Sequence, residues 1–133
     1  MRSLQKAAWV AVAMVMFGCS GLGGAAGVMD TVAMERFVER HPTGLQIVDV
    51  RTTDEWVTGR IPGAVHVPLA DLSADHPAIA ALDKHQPVYF VCAVGGRSKQ
   101  AAEKMAAEGF TALSVDGGTK GWEAAGQPLE GRP

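Results

Sequence analysis

"VYFVCAVGGRSKQAAEKMAAEGF", Val88 to Phe110, is the stretch from which the fold can be read. It opens with four β-branched or aromatic residues, Val88 to Val91, following Pro87. An apolar run of this kind, without polar alternation, predicts a strand buried on both faces. From Ser98 to Gly109 the period changes: Ala101, Met105 and Ala106 fall on one face of a helix, and Gly109 is placed to end it. Five residues, Ala93 to Arg97, separate the strand's terminal cysteine from that helix. A fully buried strand that passes straight into a helix is part of a parallel α/β sheet.

The segments on either side repeat the alternation. "LQIVDV" (Leu45 to Val50) predicts a strand, and "TDEWVTGRI" predicts one or two helical turns opened by Thr53 and ended near Gly59. "GAVHVP" predicts a short strand closed by Pro68, and "LADLSADHPAIAALD" a helix interrupted at Pro77. "TALSVDGG" predicts the next strand and its turn, and "TKGWEAAGQP" a short terminal helix. Near the start, "MDTVAMERFVERH" predicts a helix carrying Val32, Phe37 and Val38, capped by Asp30 or Thr31. There is no internal repeat. Together these predict one α/β domain over residues 28–133.

In an open α/β sheet, sites form beyond the carboxyl ends of the strands, which is where Cys92 stands. Gly95 and Gly96 can adopt backbone angles closed to other residues, so that successive N–H groups turn inward. A nest of amides at a helix N-terminus attracts an anion and lowers the pKa of a cysteine placed in it. Arg97 adds a permanent charge and a two-pronged donor for an oxyanion. Ala93 and Val94 are neutral, which leaves Arg97 and Lys99 to attract an anion. Cys92 is thus the candidate nucleophile, set against the plainer reading of a packed core thiol.

"CAVGGRS" resembles the active-site loop of rhodanese-type sulfurtransferases, C-x-x-G-x-R-[ST]. "IVDVRTTDEWVTGRIPGAVHVP", Ile47 to Pro68, is similar to that family's D-V-R…E-[FW]…G-H-I-P-G-A…[IV]-P segment, with Arg60 at the histidine. "VDGGTKGWEAAGQP", Val115 to Pro128, is similar to its closing G-G…W…G-x-P. The resemblance spans about residues 30–129. It implies a rhodanese-like fold, a five-stranded parallel sheet flanked by helices on both faces. It also implies that Cys92 takes a sulfane sulfur from a donor such as thiosulfate, holds it as a persulfide and passes it to cyanide or a thiol. In that reaction Ala93, Val94, Gly95, Gly96 and Arg97 form the substrate cradle, and no cofactor is required.

Asp49, Arg51 and Ser98 are supporting residues: Asp49 and Arg51 read as a structural ion pair and cap near the strand end. Trp56 and Trp122 read as core or rim aromatics. His41, His66, His76 and His85 have no metal-ligand spacing and read as surface or turn residues. The Gly117–Gly118 turn is expected to face the cysteine loop. Cysteine phosphatases use a similar thiolate cradle, but with a C-x5-R loop and a histidine before the cysteine. Here the loop is C-x4-R and Val91 precedes Cys92, a ring of amides small for a tetrahedral phosphate. The other open reading is a persulfide relay or partner-binding module that does not turn over a small donor.

The N-terminus predicts export. Arg2 and Lys6 precede eleven apolar residues, Ala7 to Phe17, and then small ones. That is a signal-peptide pattern, short of the roughly 20 residues a membrane span needs. "MFGCS" resembles a lipoprotein lipobox with Cys19 as the lipidated residue, and "SGLGGAAG" suits a tether. Cleavage after Ala26 or Gly27 is the alternative. Residues 1–27 are therefore a signal and leader, and the expected location is the periplasm, free or lipid-anchored to a bacterial membrane. Setting aside Arg2 and Lys6 leaves 10 basic side chains against 14 acidic ones, a net charge of −4. With no basic run, nucleic acid is not an expected partner. Cys92 is then the one cysteine besides Cys19, a lone thiol where disulfides are favoured, which points to reactivity.

Overall fold

A computed structural model describes residues 27–132, apart from 41 and 43. The expected signal, the Cys19 lipobox and the reading of His41 lie outside the described residues.

Five strands form one parallel sheet: β1 (Val28–Val32), β2 (Gln46–Asp49), β3 (Val65–His66), β4 (Val88–Val91) and β5 (Thr111–Val115). Their spatial order is β1-β5-β4-β2-β3, which places β4 at the centre. Val88 to Val91 stand beside Gln46 to Asp49 on one side, while Val88 to Phe90 pair with Ala112 to Ser114 on the other. The helices are α1 (Met34–Glu39), α2 (Thr53–Trp56), α3 (Pro77–Ala80), α4 (Gly96–Ala106) and α5 (Gly118–Ala124).

The apolar run of β4 is explained by two cores rather than one. Successive side chains of a strand point to opposite faces. Val88, Phe90 and Cys92 enter a core with Ile79 of α3 and Ala101, Ala102 and Met105 of α4. Tyr89 and Val91 enter the other, with Phe37 of α1 and Trp122 of α5. Phe37 packs against Trp122 edge to face at 5.8 Å, and the Trp122 indole N–H donates to the Pro128 carbonyl at 2.8 Å. The sheet is therefore covered on both faces, as the resemblance implied.

Three local expectations change. Val28 to Val32 is an edge strand paired with β5, not the start of a helix, so Asp30 and Thr31 cap nothing. Ala33 takes the N-cap position of α1 and makes no side-chain cap bond. Thr52, not Thr53, caps α2, through a reciprocal capping box with Glu55. Pro77 starts α3 instead of interrupting a helix, because the missing N–H of proline costs nothing in a first turn.

Candidate active site

Cys92 follows β4 at its carboxyl end and is buried, 1% exposed. The chain then turns within three residues. Gly95 makes this possible with φ at +129°, outside what a side chain tolerates. Gly96, by contrast, is already the first residue of α4 and has no positive φ, so only one of the two loop glycines is needed for its backbone angles.

The direction of the loop amides is set from outside the loop. Three backbone N–H groups at and before the start of α5 bond to its carbonyls: Thr119 to Cys92 at 2.8 Å, Lys120 to Ala93 at 3.1 Å, and Gly117 to Val94 at 3.1 Å. With those carbonyls held toward α5, the loop's amides face the sulfur. Gly95 N–H donates to Cys92 Sγ at 3.0 Å. Gly118, at φ +57°, permits this approach, since a Cβ there would stand 2.2 Å from the Cys92 carbonyl oxygen. The Gly117–Gly118 turn does face the loop.

Burial pushes the Cys92 thiol up, but the amides of Ser98, Gly95 and Val94 and the Ser98 hydroxyl outweigh it, and the net shift is downward. Hydrogen bonds to the charged form stabilise a thiolate and would stabilise a persulfide anion in the same way. An added sulfur would extend about 2 Å beyond Sγ, the length of an S–S bond.

Arg97 is the residue whose surroundings the sequence least anticipates. Its guanidinium makes a two-pronged pair with Glu55 of α2, 2.6 Å from Nη1 to Oε1 and 2.9 Å from Nη2 to Oε2. Glu55 was legible only as part of the E-[FW] motif, and nothing local in sequence joins it to Arg97. Arg97 is held above its ordinary pKa, chiefly by Glu55. Lys99 is exposed on α4.

Glu55 has a testable pH signature. The Arg97 hydrogen bonds, against an opposing effect of burial and with help from Thr52, hold its carboxyl down from 4.5 to about 2. A carboxylate depressed in the folded state stabilises above its unfolded pKa, and that contribution is lost as pH falls from about 4.5 toward 2. Both side chains are about a third exposed, so solvent screening limits the effect to about 1 kcal/mol or less. Glu55→Gln is expected to be less stable than wild type at pH 6, with the gap closing near pH 2.5. Urea unfolding at both pH values checks this; an unchanged gap would remove the ion pair from the account.

Asp49 and Arg51 form the structural pair expected of them. Arg51 Nη2 lies 2.8 Å from Asp49 Oδ2, both side chains buried, and also donates to the Gly59 carbonyl at 2.8 Å. Arg60 and Trp56 join a rim stack: the guanidinium carbon is 4.7 Å from the Trp56 ring centroid, and His66 stacks on Trp56 at 4.7 Å. His66 Nε2 lies 2.8 Å from the Arg51 carbonyl oxygen. A cleft of about 190 Å³ opens beside the loop, lined in part by Arg51, Glu55, Ala93, Thr119 and Lys120. Among the described residues, no group of three or more His, Cys, Asp or Glu could hold a metal ion.

Comparison with known proteins agrees with this geometry. A family model described as "Rhodanese-like domain" matches residues 34–125. "Putative sulfurtransferase YtwF" of Bacillus subtilis (strain 168) is 31% identical over 100 residues, covering 75% of this chain and 93% of that protein. "Putative sulfur carrier protein YrkF" of the same organism is 31% identical over 94 residues, 68% of this chain; the match spans 49% of that protein, about half its length. Among solved structures, a rhodanese-like domain protein from Staphylococcus aureus superposes with a TM-score of 0.64 at 30% identity. That alignment covers 79% of this chain and all of the other.

Proposed function

The chain belongs to the rhodanese-like domain family, and from that premise we propose that it is a sulfurtransferase that works through a Cys92 persulfide. The observation that carries this reading is a buried sulfur at the carboxyl end of β4 that accepts the Gly95 N–H at 3.0 Å, with the Ser98 hydroxyl 3.6 Å away and the loop's carbonyls held toward α5. The Cys92 thiolate attacks the outer sulfur of thiosulfate, an S–S bond forms, and sulfite leaves with the electron pair of the bond it broke. Cyanide or a thiolate then attacks the outer sulfur, taking it away and returning the thiolate. The loop amides stabilise the charge on sulfur at each stage without needing to move. No cofactor enters either half-reaction.

The test is intact mass after brief exposure to thiosulfate. A gain of about 32 Da, one sulfur atom, is expected on wild type and not on Cys92→Ser, with loss on adding cyanide and release of thiocyanate. No adduct from thiosulfate or from a low-molecular-weight persulfide would overturn the reading. Stoichiometric loading without repeated turnover would favour the persulfide relay, the reading supported by the relative named as a sulfur carrier.

We also propose that the domain acts outside the cytoplasm, a reading supported by the pattern of residues 1–27. The mass of the mature chain from its own cells decides between a diacylated Cys19 and a start at residue 27 or 28. An intact Met1 would refute both.

A further inference from the structure

Beside Cys92 lies a short chain of hydroxyl groups that reaches into the sheet. Ser98 Oγ stands among three polar atoms: the Gly95 carbonyl oxygen at 3.0 Å, Ser114 Oγ at 2.8 Å and Cys92 Sγ at 3.6 Å. All three side chains are buried, Ser98 at 0% exposure and Ser114 and Cys92 at 1% each. A serine hydroxyl carries one proton and two lone pairs, so Ser98 can donate to only one of its neighbours at a time. Ser114 comes from β5, and its hydroxyl bonds to Ser98 Oγ. Whenever the Ser98 proton points to Gly95 or to sulfur, the 2.8 Å contact is made by the Ser114 proton.

We propose that Ser114 is a positioning residue for the chemistry at Cys92: its proton holds the Ser98 oxygen, leaving the Ser98 proton free to turn between the Gly95 carbonyl and the sulfur. This rests on Cys92 being the reactive sulfur. With Cys92 as a thiol, S–H donates to Ser98 Oγ and Ser98 donates to Gly95. When the thiol loses its proton to solvent, the Ser98 proton turns to Sγ. The Gly95 carbonyl is not orphaned by that turn, because the Lys99 N–H also reaches it at 3.2 Å. Ser114 donates in both states, so each buried polar group keeps a partner. A hydroxyl that is itself accepting a hydrogen bond is a better donor, which strengthens the contact to a thiolate.

The charged groups around Cys92 come from other elements and do not bond to Ser114. Arg97 of α4 is paired with Glu55 of α2, and Asp49 at the end of β2 is paired with Arg51. Asp116 lies past β5 beside Gly95, Lys120 is on α5, and His66 on β3 is turned to the Arg51 carbonyl.

The test is the pH dependence of Cys92 alkylation by iodoacetamide in the full chain, read by mass spectrometry on the Cys92 peptide. Ser114→Ala is expected to raise the apparent pKa of Cys92 by about half to one unit, the worth of one neutral hydrogen bond. Alkylation well below that pKa then slows about 3- to 10-fold. Ser98→Ala should raise it at least as much, and Ser98→Ala/Ser114→Ala no further, since Ser114 acts through Ser98. A wild-type pKa in folded Ser114→Ala, or full additivity in the double variant, overturns the proposal. If Ser114→Ala does not fold, Ser114→Cys, a weaker donor of similar size, should give a smaller rise, and a wild-type value there overturns it equally. Alkylation needs no sulfur donor, so this result stands apart from sulfur loading.

Discussion

Gly118→Ala is expected to slow sulfur loading of Cys92 by about a hundredfold, the scale on which a misplacement of about 1 Å acts on an oriented site. The added methyl would stand 2.2 Å from the Cys92 carbonyl oxygen and 2.6 Å from the Ala93 carbonyl carbon and oxygen. These are backbone atoms, so no rotamer change relieves the overlap. The loop must move away from α5 and lose the Thr119 and Lys120 hydrogen bonds that turn its carbonyls outward. The amides facing Sγ then lose their aim, and the thiol pKa should rise alongside the fall in rate. Alanine at φ +57° also carries backbone strain of roughly 1–2 kcal/mol. Gly63→Ala separates the two effects, because Gly63 has φ +88° and nothing within 4 Å of an added Cβ. That variant should lose only the stability that the backbone strain accounts for, and keep its rate. Single-turnover loading and thermal unfolding of both variants measure this; equal rates would show that the contact with α5 does not aim the loop.

Asp49→Ala should destabilise the domain by about 3–5 kcal/mol, the cost of leaving a buried charge without its partner. Asp49 is fully buried and Arg51 is 4% exposed, so water cannot replace the lost carboxylate. The carboxylate receives Arg51 Nε at 3.0 Å, Nη2 at 2.8 Å and the Arg51 backbone N–H at 3.0 Å. Without it the guanidinium retains the carbonyls of Glu55 and Gly59, which accept hydrogen bonds but carry no compensating charge. A small domain has only about 5–15 kcal/mol of total stability, so the loss could be a large share of it. Asp49→Ala/Arg51→Ala should cost less than the sum of the single substitutions, because removing both charges leaves neither stranded. Denaturant unfolding of the three variants tests this, and a loss below about 1 kcal/mol for Asp49→Ala would mean the pair is not a structural anchor.

The elements legible in sequence were those whose signal is local. The run Val88–Val91 and the helical period after it identified β4 and α4, and the motif order identified the family's five-stranded sheet. β1 is not legible in sequence, because Asp30 and Thr31 read as a helix cap while its strand character comes from pairing with β5. Only the register Val28↔Thr111 to Val32↔Val115 makes that segment a strand. A parallel edge strand depends on a partner far away in sequence, and its own residues carry a weak pattern.

The site divides in the same way. That a cysteine ends a buried strand and that a glycine-bearing loop leads from it into a helix can be read from local residues, because each feature rests on positions a few apart. Which charged and hydroxyl groups meet at the site depends on the assembled fold. That fold joined Arg97 to Glu55 across 42 positions and Ser98 to Ser114 across 16. It also brought Gly118 against the Cys92 carbonyl. Such contacts follow from the register of β4 and β5 and from how closely α5 approaches the loop. A backbone turn is set by the angles its own residues allow, whereas a hydrogen bond between distant residues needs positions that only the assembled sheet supplies.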